Sequence, residues 1–270
     1  MMLQANPGPG LGLNPARPAV LVLAGVDPSG GAGIAADILA IAAQGAHALP
    51  VVTALTVQDN NRVYEVLPVA SAIVARQAQA LIGRITISAI KIGIPGSRAN
   101  AQVMADLIVQ LRRNRPALPV ILDPVLASGN GDALSHDDAV QAVAPLLPLA
   151  TLILPNLPEA GALCGFDGEP GRQAQYLRAL GCEQVLITGG HASGDEVINR
   201  WYGLGQALEW RWPRLPGAFH GSGCTLASAI AARLALGEAM ATALATAQAY
   251  CHLALATSFA IAEGQRIPLR

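Results

Sequence analysis

The sequence predicts an α/β protein of three layers, in which a mostly parallel central sheet carries helices on both faces. Short runs of β-branched and other apolar residues alternate along the chain with longer, alanine-rich stretches that are compatible with helices. Apolar strands that alternate with helices are typical of parallel sheets buried on both faces. Hydrophobic residues make up 52% of the chain and charged residues 13%, so a large buried core is expected and disorder is not.

Each predicted strand is a short run rich in valine, isoleucine or leucine, and each predicted helix is a longer run rich in alanine. The last two strands lie close together in the sequence and indicate a hairpin. The predicted strands cover residues 20–24, 50–57, 64–69, 89–92, 120–122, 152–154, 184–187, 197–202 and 207–212. The predicted helices cover residues 33–44, 71–83, 99–112, 137–146, 158–164, 172–180, 224–236 and 238–262.

We expect one folded domain over residues 18–270, preceded by a flexible tail over residues 1–17. The tail is rich in proline and glycine, and it lacks the basic region and long apolar region of a signal peptide. No proline- and serine-rich linker and no internal repeat divides the rest of the chain. The long apolar stretch over residues 239–262 contains polar side chains, Gln248 and His252 among them, so we predict a buried helix and no membrane span.

Charge and cysteine content exclude several classes of protein. The formal net charge is -1 and no basic run is present, so nucleic acid is not an expected partner. The four cysteines show no CxxC or other metal-ligand spacing, and they are Cys164, Cys182, Cys224 and Cys251. Without an export signal, reduced thiols in the cytoplasm are the expectation. We predict that His47, His252 and the cysteines other than Cys224 belong to the core.

The first candidate functional segment is residues 24–33, Ala-Gly-Val-Asp-Pro-Ser-Gly-Gly-Ala-Gly, between the first predicted strand and the first helix. Its glycines allow the backbone to approach a ligand closely, and the N-terminus of the following helix favours an anion. The alternative is an ordinary tight turn between a strand and a helix. The glycine spacing is not GxGxxG, so a dinucleotide-binding fold is disfavoured.

The second candidate segment is residues 217–226, Gly-Ala-Phe-His-Gly-Ser-Gly-Cys-Thr-Leu, which opens a predicted helix. A Gly-Ser-Gly sequence at a helix start can direct consecutive backbone amides at one point, which suits a developing phosphate charge. Cys224 falls in the first helical turn, where the pKa of a thiol tends to be lowered. The alternative is a small buried cysteine in a glycine-capped turn.

Lys91 is the only lysine of the chain, and it is followed by Ile92 and Gly93 after a predicted strand. A GxxxxGK[ST] phosphate-binding loop is therefore impossible, and so is the signature set of the protein kinases. Any nucleotide site must use backbone amides and other side chains. A surface charge at the end of a strand is the alternative interpretation of Lys91.

Together the two glycine-rich segments resemble those of the hydroxymethylpyrimidine and phosphomethylpyrimidine kinases, within the ribokinase-like superfamily. Other matching segments follow in family order between about residues 18 and 236. They are residues 53–58 (TALTVQ), 91–93 (KIG), 123–125 (DPV), 155–160 (PNLPEA) and 188–191 (TGGH). The resemblance implies a ribokinase-like fold and the transfer of the γ-phosphoryl group of ATP to a small heterocycle.

The resemblance also assigns roles at the acceptor and at the transferred group. Cys224 takes the place of the aspartate that most superfamily members use as the catalytic base. The predicted anion hole consists of Gly221, Ser222 and Gly223. Gln58 would hydrogen-bond the edge of the pyrimidine, because a buried glutamine side chain needs hydrogen-bond partners. The remaining substrate-binding residues implied by the family are Gly25, Asp37 and Ile94, although a solvated helix carboxylate is the alternative for Asp37.

Asn156 and Glu159 match the NxxE element of the family, which organises Mg²⁺ and phosphate groups. Their spacing fits a capping box at a helix start equally well. Asp123, between a strand and Pro124, is a second candidate metal residue, with a turn-initiating aspartate as the alternative. Thr188 is the third implied ATP-binding residue, after Asn156 and Glu159. Relatives often carry a lysine at this position, so either an arginine from elsewhere in the chain or Mg²⁺ alone would replace its contact to ATP. His191 follows in the same loop. It would either assist at the phosphate groups or be an ordinary loop histidine.

The implied function is the ATP- and Mg²⁺-dependent phosphorylation of 4-amino-5-hydroxymethyl-2-methylpyrimidine and of its monophosphate, in thiamine biosynthesis. Pyridoxal or pyridoxamine kinase activity is the closest alternative, and Gln58, suited to an aminopyrimidine, favours the pyrimidine. A non-catalytic ligand-binding homologue is the alternative from another class. The expected partners are the small substrate and ATP, with a homodimer as the candidate assembly. We predict that Trp201, Trp210 and Trp212 pack a flap rather than stack on a base.

Overall fold

The computed structural model describes residues 16–127, 131–132, 134 and 138–270. In this part of the chain, nine strands form a single sheet. The strands are β1 Ala19–Val26, β2 His47–Gln58, β3 Val63–Pro68, β4 Ile87–Ile92, β5 Val120–Leu122, β6 Leu152–Ile153, β7 Gln184–Ile187, β8 Glu196–Tyr202 and β9 Ala207–Pro213. The predicted tail lies almost wholly outside the described residues, so the boundary at residue 17 stays a prediction.

The strand order of the sheet is β3-β2-β1-β4-β5-β6-β7-β8-β9. The six central strands from β2 to β7 are parallel, and β3, β8 and β9 pair antiparallel at the two edges. The order reverses direction between β1 and β4, which is the position where ligands bind in open α/β sheets. The mostly parallel sheet predicted from the sequence is confirmed.

Helices cover both faces of the sheet, as predicted. They are α1 Gly33–Ala43, α2 Ser71–Ile82, α3 Arg98–Asn114, α4 Ala139–Val143, α5 Leu157–Cys164, α6 Pro170–Ala179, α7 Ser222–Ala235 and α8 Met240–Ala256. Helices α1, α7 and α8 lie together on one face, and α2 and α3 pack against each other on the other. In the described residues, no helix is both long and apolar enough to cross a membrane.

The two cores follow from the alternation of side chains along each strand. On β1, Leu21 and Leu23 enter the core beneath α2 and α3, whereas Val20 and Val22 enter the core beneath α1, α7 and α8. All four side chains are fully buried. Burial on both faces explains why the central strands are apolar throughout.

Three details differ from the predicted elements. The helix predicted over residues 137–146 is the short α4 followed by a 3₁₀ helix, Ala144–Leu149, because Pro145 and Pro148 cannot donate the backbone hydrogen bonds of an α-helix. The last helix ends at Ala256, and Phe259 then pairs with Ile267 in extended structure. The predicted tryptophan-bearing flap is the edge of the main sheet, formed by β8 and β9.

The predicted core positions are partly wrong. Cys164, Cys182 and Cys251 are buried and all four cysteines are free thiols, as expected. His47, however, is exposed at the start of β2. His252 is only half-buried, because its ring stacks on Trp212 in the wall of a cavity instead of entering the core.

Candidate active site

A cavity of about 520 Å³ lies at the carboxyl edge of the parallel strands. Its walls include Gln58 at the end of β2 and Thr188 directly after β7. Five strand-to-strand steps separate β2 from β7 in the sheet, which is about 24 Å at the usual spacing. The cavity is therefore elongated along the sheet edge and has two ends, with the start of α7 between them. We call them the β2 end and the β7–β9 end.

The first glycine-rich segment is a loop organised by the side chain of Asp27. Its carboxylate accepts hydrogen bonds from the Ser29 amide at 2.8 Å, the Ser29 hydroxyl at 2.9 Å and the Ala32 amide at 2.7 Å. Burial pushes the pKa of Asp27 upwards, but hydrogen bonds from His220 and Ser29 outweigh that effect and leave it below its usual value. Asp27 therefore acts as a charged anchor for the loop.

The second glycine-rich segment places the start of α7 against the first loop. Gly221 is the N-cap residue and has a φ of 74°. A Cβ atom there would lie 2.1 Å from the carbonyl oxygen of Gly31, so both the backbone angle and the space require glycine. The helix starts at Ser222, two residues earlier than predicted. The first intrahelical bond runs from the Thr225 amide to Gly221 over 3.0 Å, so the three preceding amides have no partner within the helix.

Two side chains join the loops. His220 Nε2 lies 2.8 Å from Asp27 Oδ2, which links the residue before the predicted anion hole to the anchor of the first loop. Arg270 donates from Nη2 to the Gly31 carbonyl at 2.6 Å and from Nε to the Thr225 hydroxyl at 2.8 Å. These contacts hold the backbone amides of the α7 start in a fixed position relative to the first loop.

Lys91 is the centre of a buried charge cluster below the α7 start. Its side chain is completely buried, and Nζ lies 2.9 Å from Asp37 Oδ1 and 3.7 Å from Asp123 Oδ2. Ser228 also donates to Asp37, at 2.7 Å. Burial alone would lower the pKa of Lys91, but the charges of Asp37 and Asp123 raise it, so the ammonium stays charged. The interpretation of Lys91 as a surface charge is wrong.

Asp37 requires a correction as well. Its carboxylate is fully buried, bonded to Lys91 and Ser228, and it does not line the cavity. The predicted contact between Asp37 and the polar groups of the substrate is not supported by this position. The physical reason is that α1 places Asp37 beneath the sheet edge. There its carboxylate is the counter-charge of the buried Lys91 ammonium.

Cys224 lies in the cavity wall, half-buried, whereas the other three cysteines are buried. The predicted lowering of its pKa is wrong. Burial raises the pKa of the Cys224 thiol to about 12, the carboxylates of Asp123 and Asp37 add to that rise, and the charge of Lys91 only partly offsets it. The free protein therefore holds a neutral thiol at neutral pH.

The β2 end of the cavity brings Gly25, Gln58 and Ile94 together, and their role in substrate binding stays a prediction. A Cβ atom on Gly25 would lie 2.6 Å from Ile94 Cδ1, so glycine is needed for this side chain to line the wall. Thr53 fixes the Ile94 backbone by donating to its carbonyl at 2.6 Å. An apolar wall beside one amide side chain suits a flat heterocycle that carries polar substituents.

Asn156 and Glu159 form a complete capping box at the start of α5. The Glu159 amide donates to Asn156 Oδ1, and the Asn156 amide donates to Glu159 Oε2, both at 2.9 Å. Burial raises the pKa of Glu159 to about 8, and the nearby charge of Asp123 adds to the rise. Both carboxylates line the cavity. Glu159 therefore belongs to the capping box and also lines the cavity.

The β7–β9 end contains Thr188 and side chains from the hairpin and α8. Trp212 stacks on His252 with ring centroids 5.0 Å apart. Gln248 Oε1 accepts hydrogen bonds from Asn199 at 2.8 Å and from the Trp212 indole at 3.3 Å. His191 is exposed in the loop after Thr188 and also lines the cavity.

Several of these residues were not assigned by sequence reasoning. Asp27 and His220 stand inside the two quoted motifs, and the Asp-Pro-Ser-Gly sequence is typical of a turn in which an aspartate bonds to following amides, so Asp27 could have been found. The buried pairing of Lys91 and the cavity positions of Trp212 and His252 have no local sequence signal, because they depend on which elements pack together.

The combination of a glycine-rich anion site at a helix start, an adjacent buried lysine and a two-ended cavity defines a small-molecule kinase of the ribokinase-like fold. The phosphomethylpyrimidine kinase family profile matches residues 27–269, which shows that the chain belongs to this family. The hydroxymethylpyrimidine/phosphomethylpyrimidine kinase of Mycobacterium tuberculosis is 40% identical over 84% of this chain and 83% of its own.

Solved structures show the same fold. The phosphomethylpyrimidine kinase of Clostridium difficile superimposes with a TM-score of 0.74 at 30% identity, over 87% of this chain and 98% of that one. The pyridoxal kinase of Staphylococcus aureus in complex with AMP-PCP and pyridoxal gives a TM-score of 0.81 at 25% identity, over 94% of both chains. Sequence identity is thus higher to the pyrimidine kinase, and overall shape is closer to the pyridoxal kinase.

Proposed function

We propose that this protein transfers the γ-phosphoryl group of ATP to the hydroxymethyl oxygen of 4-amino-5-hydroxymethyl-2-methylpyrimidine, and then phosphorylates the monophosphate to the diphosphate, in thiamine biosynthesis. The observation that carries the proposal is the α7 start in the middle of an elongated cavity. The pyrimidine would occupy the β2 end, beside Gln58 and Ile94. ATP would extend from the β7–β9 end, so that its γ-phosphate reaches the α7 start.

In this arrangement the amides of the α7 start bind the transferring phosphoryl group. Its negative charge lies at a helix N-terminus, where backbone dipoles favour an anion. Gly221 and Gly223 allow the backbone to approach closely, and the buried charge of Lys91 lies behind this position. Phosphoryl transfer depends mainly on positioning and charge stabilisation, which these groups provide.

Cys224 would orient the attacking hydroxymethyl oxygen. The oxygen forms a bond to the γ-phosphorus, the bond between that phosphorus and ADP breaks, and the hydroxyl proton leaves late. Only a thiolate can accept this proton, and the raised pKa of Cys224 makes the thiolate a minor form in the free protein. The proton therefore moves when the hydroxyl is already acidified by bonding to phosphorus, with the charge of Lys91 favouring the thiolate.

The carboxylates of the cavity fit Mg²⁺ bound mainly through phosphate and water. Asp123 Oδ2 is buried and has no hydrogen-bond partner among the described residues, and Glu159 lies nearby in the wall. Mg²⁺ prefers one or two carboxylates plus phosphate groups, and Asp123 and Glu159 supply two carboxylates in this wall. Asp123 and Glu159 would hold Mg²⁺, which would supply positive charge to offset the charge of the phosphate groups.

Pyridoxal phosphorylation is a second candidate, because the overall shape is close to that of the pyridoxal kinase bound to AMP-PCP and pyridoxal. Both acceptors are planar heterocycles with a hydroxymethyl group. Gln58 distinguishes them, since its amide matches the amino edge of the pyrimidine. The homodimer and the cytoplasmic location stay predictions, and sedimentation analysis would check the former.

The test is mass spectrometry of a reaction that contains the protein, ATP, Mg²⁺ and the free pyrimidine. The proposal expects first the monophosphate and then the diphosphate, with stoichiometric ADP. A parallel reaction with pyridoxal should be slower in competition with the pyrimidine. Phosphorylation of pyridoxal with no pyrimidine product would establish the second candidate instead, and ADP release without any phosphorylated acceptor would refute both.

A further inference from the structure

Arg214 is the one arginine or lysine in the described cavity wall that lacks a carboxylate partner. Two such cations line the cavity, Lys91 and Arg214. Lys91 has carboxylate partners, because it pairs with Asp37 and lies near Asp123. No aspartate or glutamate of the described chain lies within ion-pair distance of Arg214. The β7–β9 end of the cavity therefore carries a positive charge that no carboxylate of the described residues offsets.

The guanidinium group of Arg214 is held by the loop that follows β7. It donates to four backbone carbonyls, namely Gly194 at 2.6 Å, Gly190 at 2.8 Å, Ala192 at 2.7 Å and Glu196 at 3.2 Å. These bonds use four of the five N–H groups of an arginine side chain. The remaining N–H group is on Nη1, and the whole group is fixed before any ligand arrives, which reduces the entropy lost on binding.

We propose that Arg214 binds the polyphosphate of the nucleotide at the β7–β9 end of the cavity, through its charge and its remaining N–H group. This inference rests on the proposed function, which puts ATP at that end. Arg214 lines the cavity together with Thr188 and Gly190 of the same loop. Residues 188–195 contain no lysine or arginine, so Arg214, directly after β9, supplies a cationic group that this loop lacks.

The experiment measures binding of AMP-PCP and of adenosine by calorimetry. The variants are Arg214→Met, Arg214→Lys and the control Arg211→Met. Arg211 is an exposed arginine of β9 that pairs with Glu196 and Glu209. Arg214→Met should weaken AMP-PCP binding by roughly tenfold or more, because a hydrogen-bonded charge contact is lost. Adenosine carries no phosphate, so its affinity should change by less than about threefold.

Arg214→Lys should recover part of the AMP-PCP affinity, and Arg211→Met should bind both ligands like the wild type. Adenosine binding also shows that the cavity of each variant is intact. Unchanged AMP-PCP affinity in Arg214→Met would overturn the inference, and so would an equal loss for adenosine and AMP-PCP, which would make Arg214 a structural clamp of the loop. A wild-type protein that binds no AMP-PCP would instead refute the proposed function.

Discussion

The two ends of the cavity are built in different ways. The β2 end includes residues at the carboxyl ends of parallel strands, such as Gly25 near the end of β1 and Gln58 at the end of β2. The β7–β9 end also uses antiparallel strands and a distant helix, with Trp212, Arg214 and His252 in its wall. A local sequence motif can identify the β2 end but not the β7–β9 end. Under the proposed function, we expect that acceptor recognition and nucleotide recognition can be altered separately.

The largest expected effect lies between the two ends, at Cys224. In Cys224→Ser a hydroxyl replaces the thiol, and a hydroxyl is a far weaker proton acceptor at any accessible pH. The kcat should fall by about 10²- to 10⁴-fold, as for other losses of general-base catalysis, with the KM values of both substrates nearly unchanged. Steady-state kinetics with a thermal unfolding control measures this. Near-wild-type turnover would remove Cys224 from the mechanism.

A second large effect is expected on stability, below the cavity. Asp37→Ala would leave the fully buried Lys91 without its closest counter-charge. The free energy of unfolding should fall by about 3–5 kcal/mol, as for other broken buried ion pairs. Chemical denaturation checks this, with Asp106→Ala on the exposed face of α3 as the control. A stable variant with a raised KM for the pyrimidine alone would restore Asp37 as a substrate-binding residue.

Gln58→Leu should affect only the β2 end. An amino group of the substrate left unpaired in a closed cavity costs about 1–3 kcal/mol, so kcat/KM for the pyrimidine should drop by roughly 5- to 150-fold. The KM for ATP should stay the same. The exposed Gln110→Leu is the matched control. Equal losses for the pyrimidine and ATP would mean that the two ends are coupled and that Gln58 is structural.

Glu159→Gln should give the smallest change and separates the capping role of this side chain from its proposed role at the metal ion. Glutamine can replace glutamate in the capping box but brings no charge to a metal ion. The melting temperature should hardly change, whereas the Mg²⁺ concentration for half-maximal rate should rise. A Mg²⁺ titration of the rate is the measurement. Identical titration curves for both proteins would leave the capping box as the sole role of Glu159.

The sequence predicted the sheet, the order of its elements and the β2 end of the cavity, because these depend on local apolar runs and on loops that follow strands. It could not predict the surroundings of Lys91, which arise when α1, β4 and β5 meet. The pKa of Cys224 is the clearest case. A helix start favours a thiolate, but burial beside Asp123 and Asp37 has the larger and opposite effect.

The identity of the cation at the β7–β9 end was also beyond local sequence reasoning. Thr188 showed only that a lysine was missing from its position. Arg214 lies far along the chain, on the segment after β9, and reaches the loop through four backbone carbonyls. Its role depends on the antiparallel pairing of β7, β8 and β9, which the sequence indicated only as a hairpin.

A crystal structure of the protein with AMP-PCP, Mg²⁺ and 4-amino-5-hydroxymethyl-2-methylpyrimidine tests the two-ended site most directly. We predict the pyrimidine ring between Gln58 and Ile94, its hydroxymethyl oxygen facing the Cys224 sulfur, and the γ-phosphate at the amides of the α7 start. The adenosine should lie at the β7–β9 end. A nucleotide base against Gln58, or a pyrimidine among the residues of β7–β9, would contradict the account.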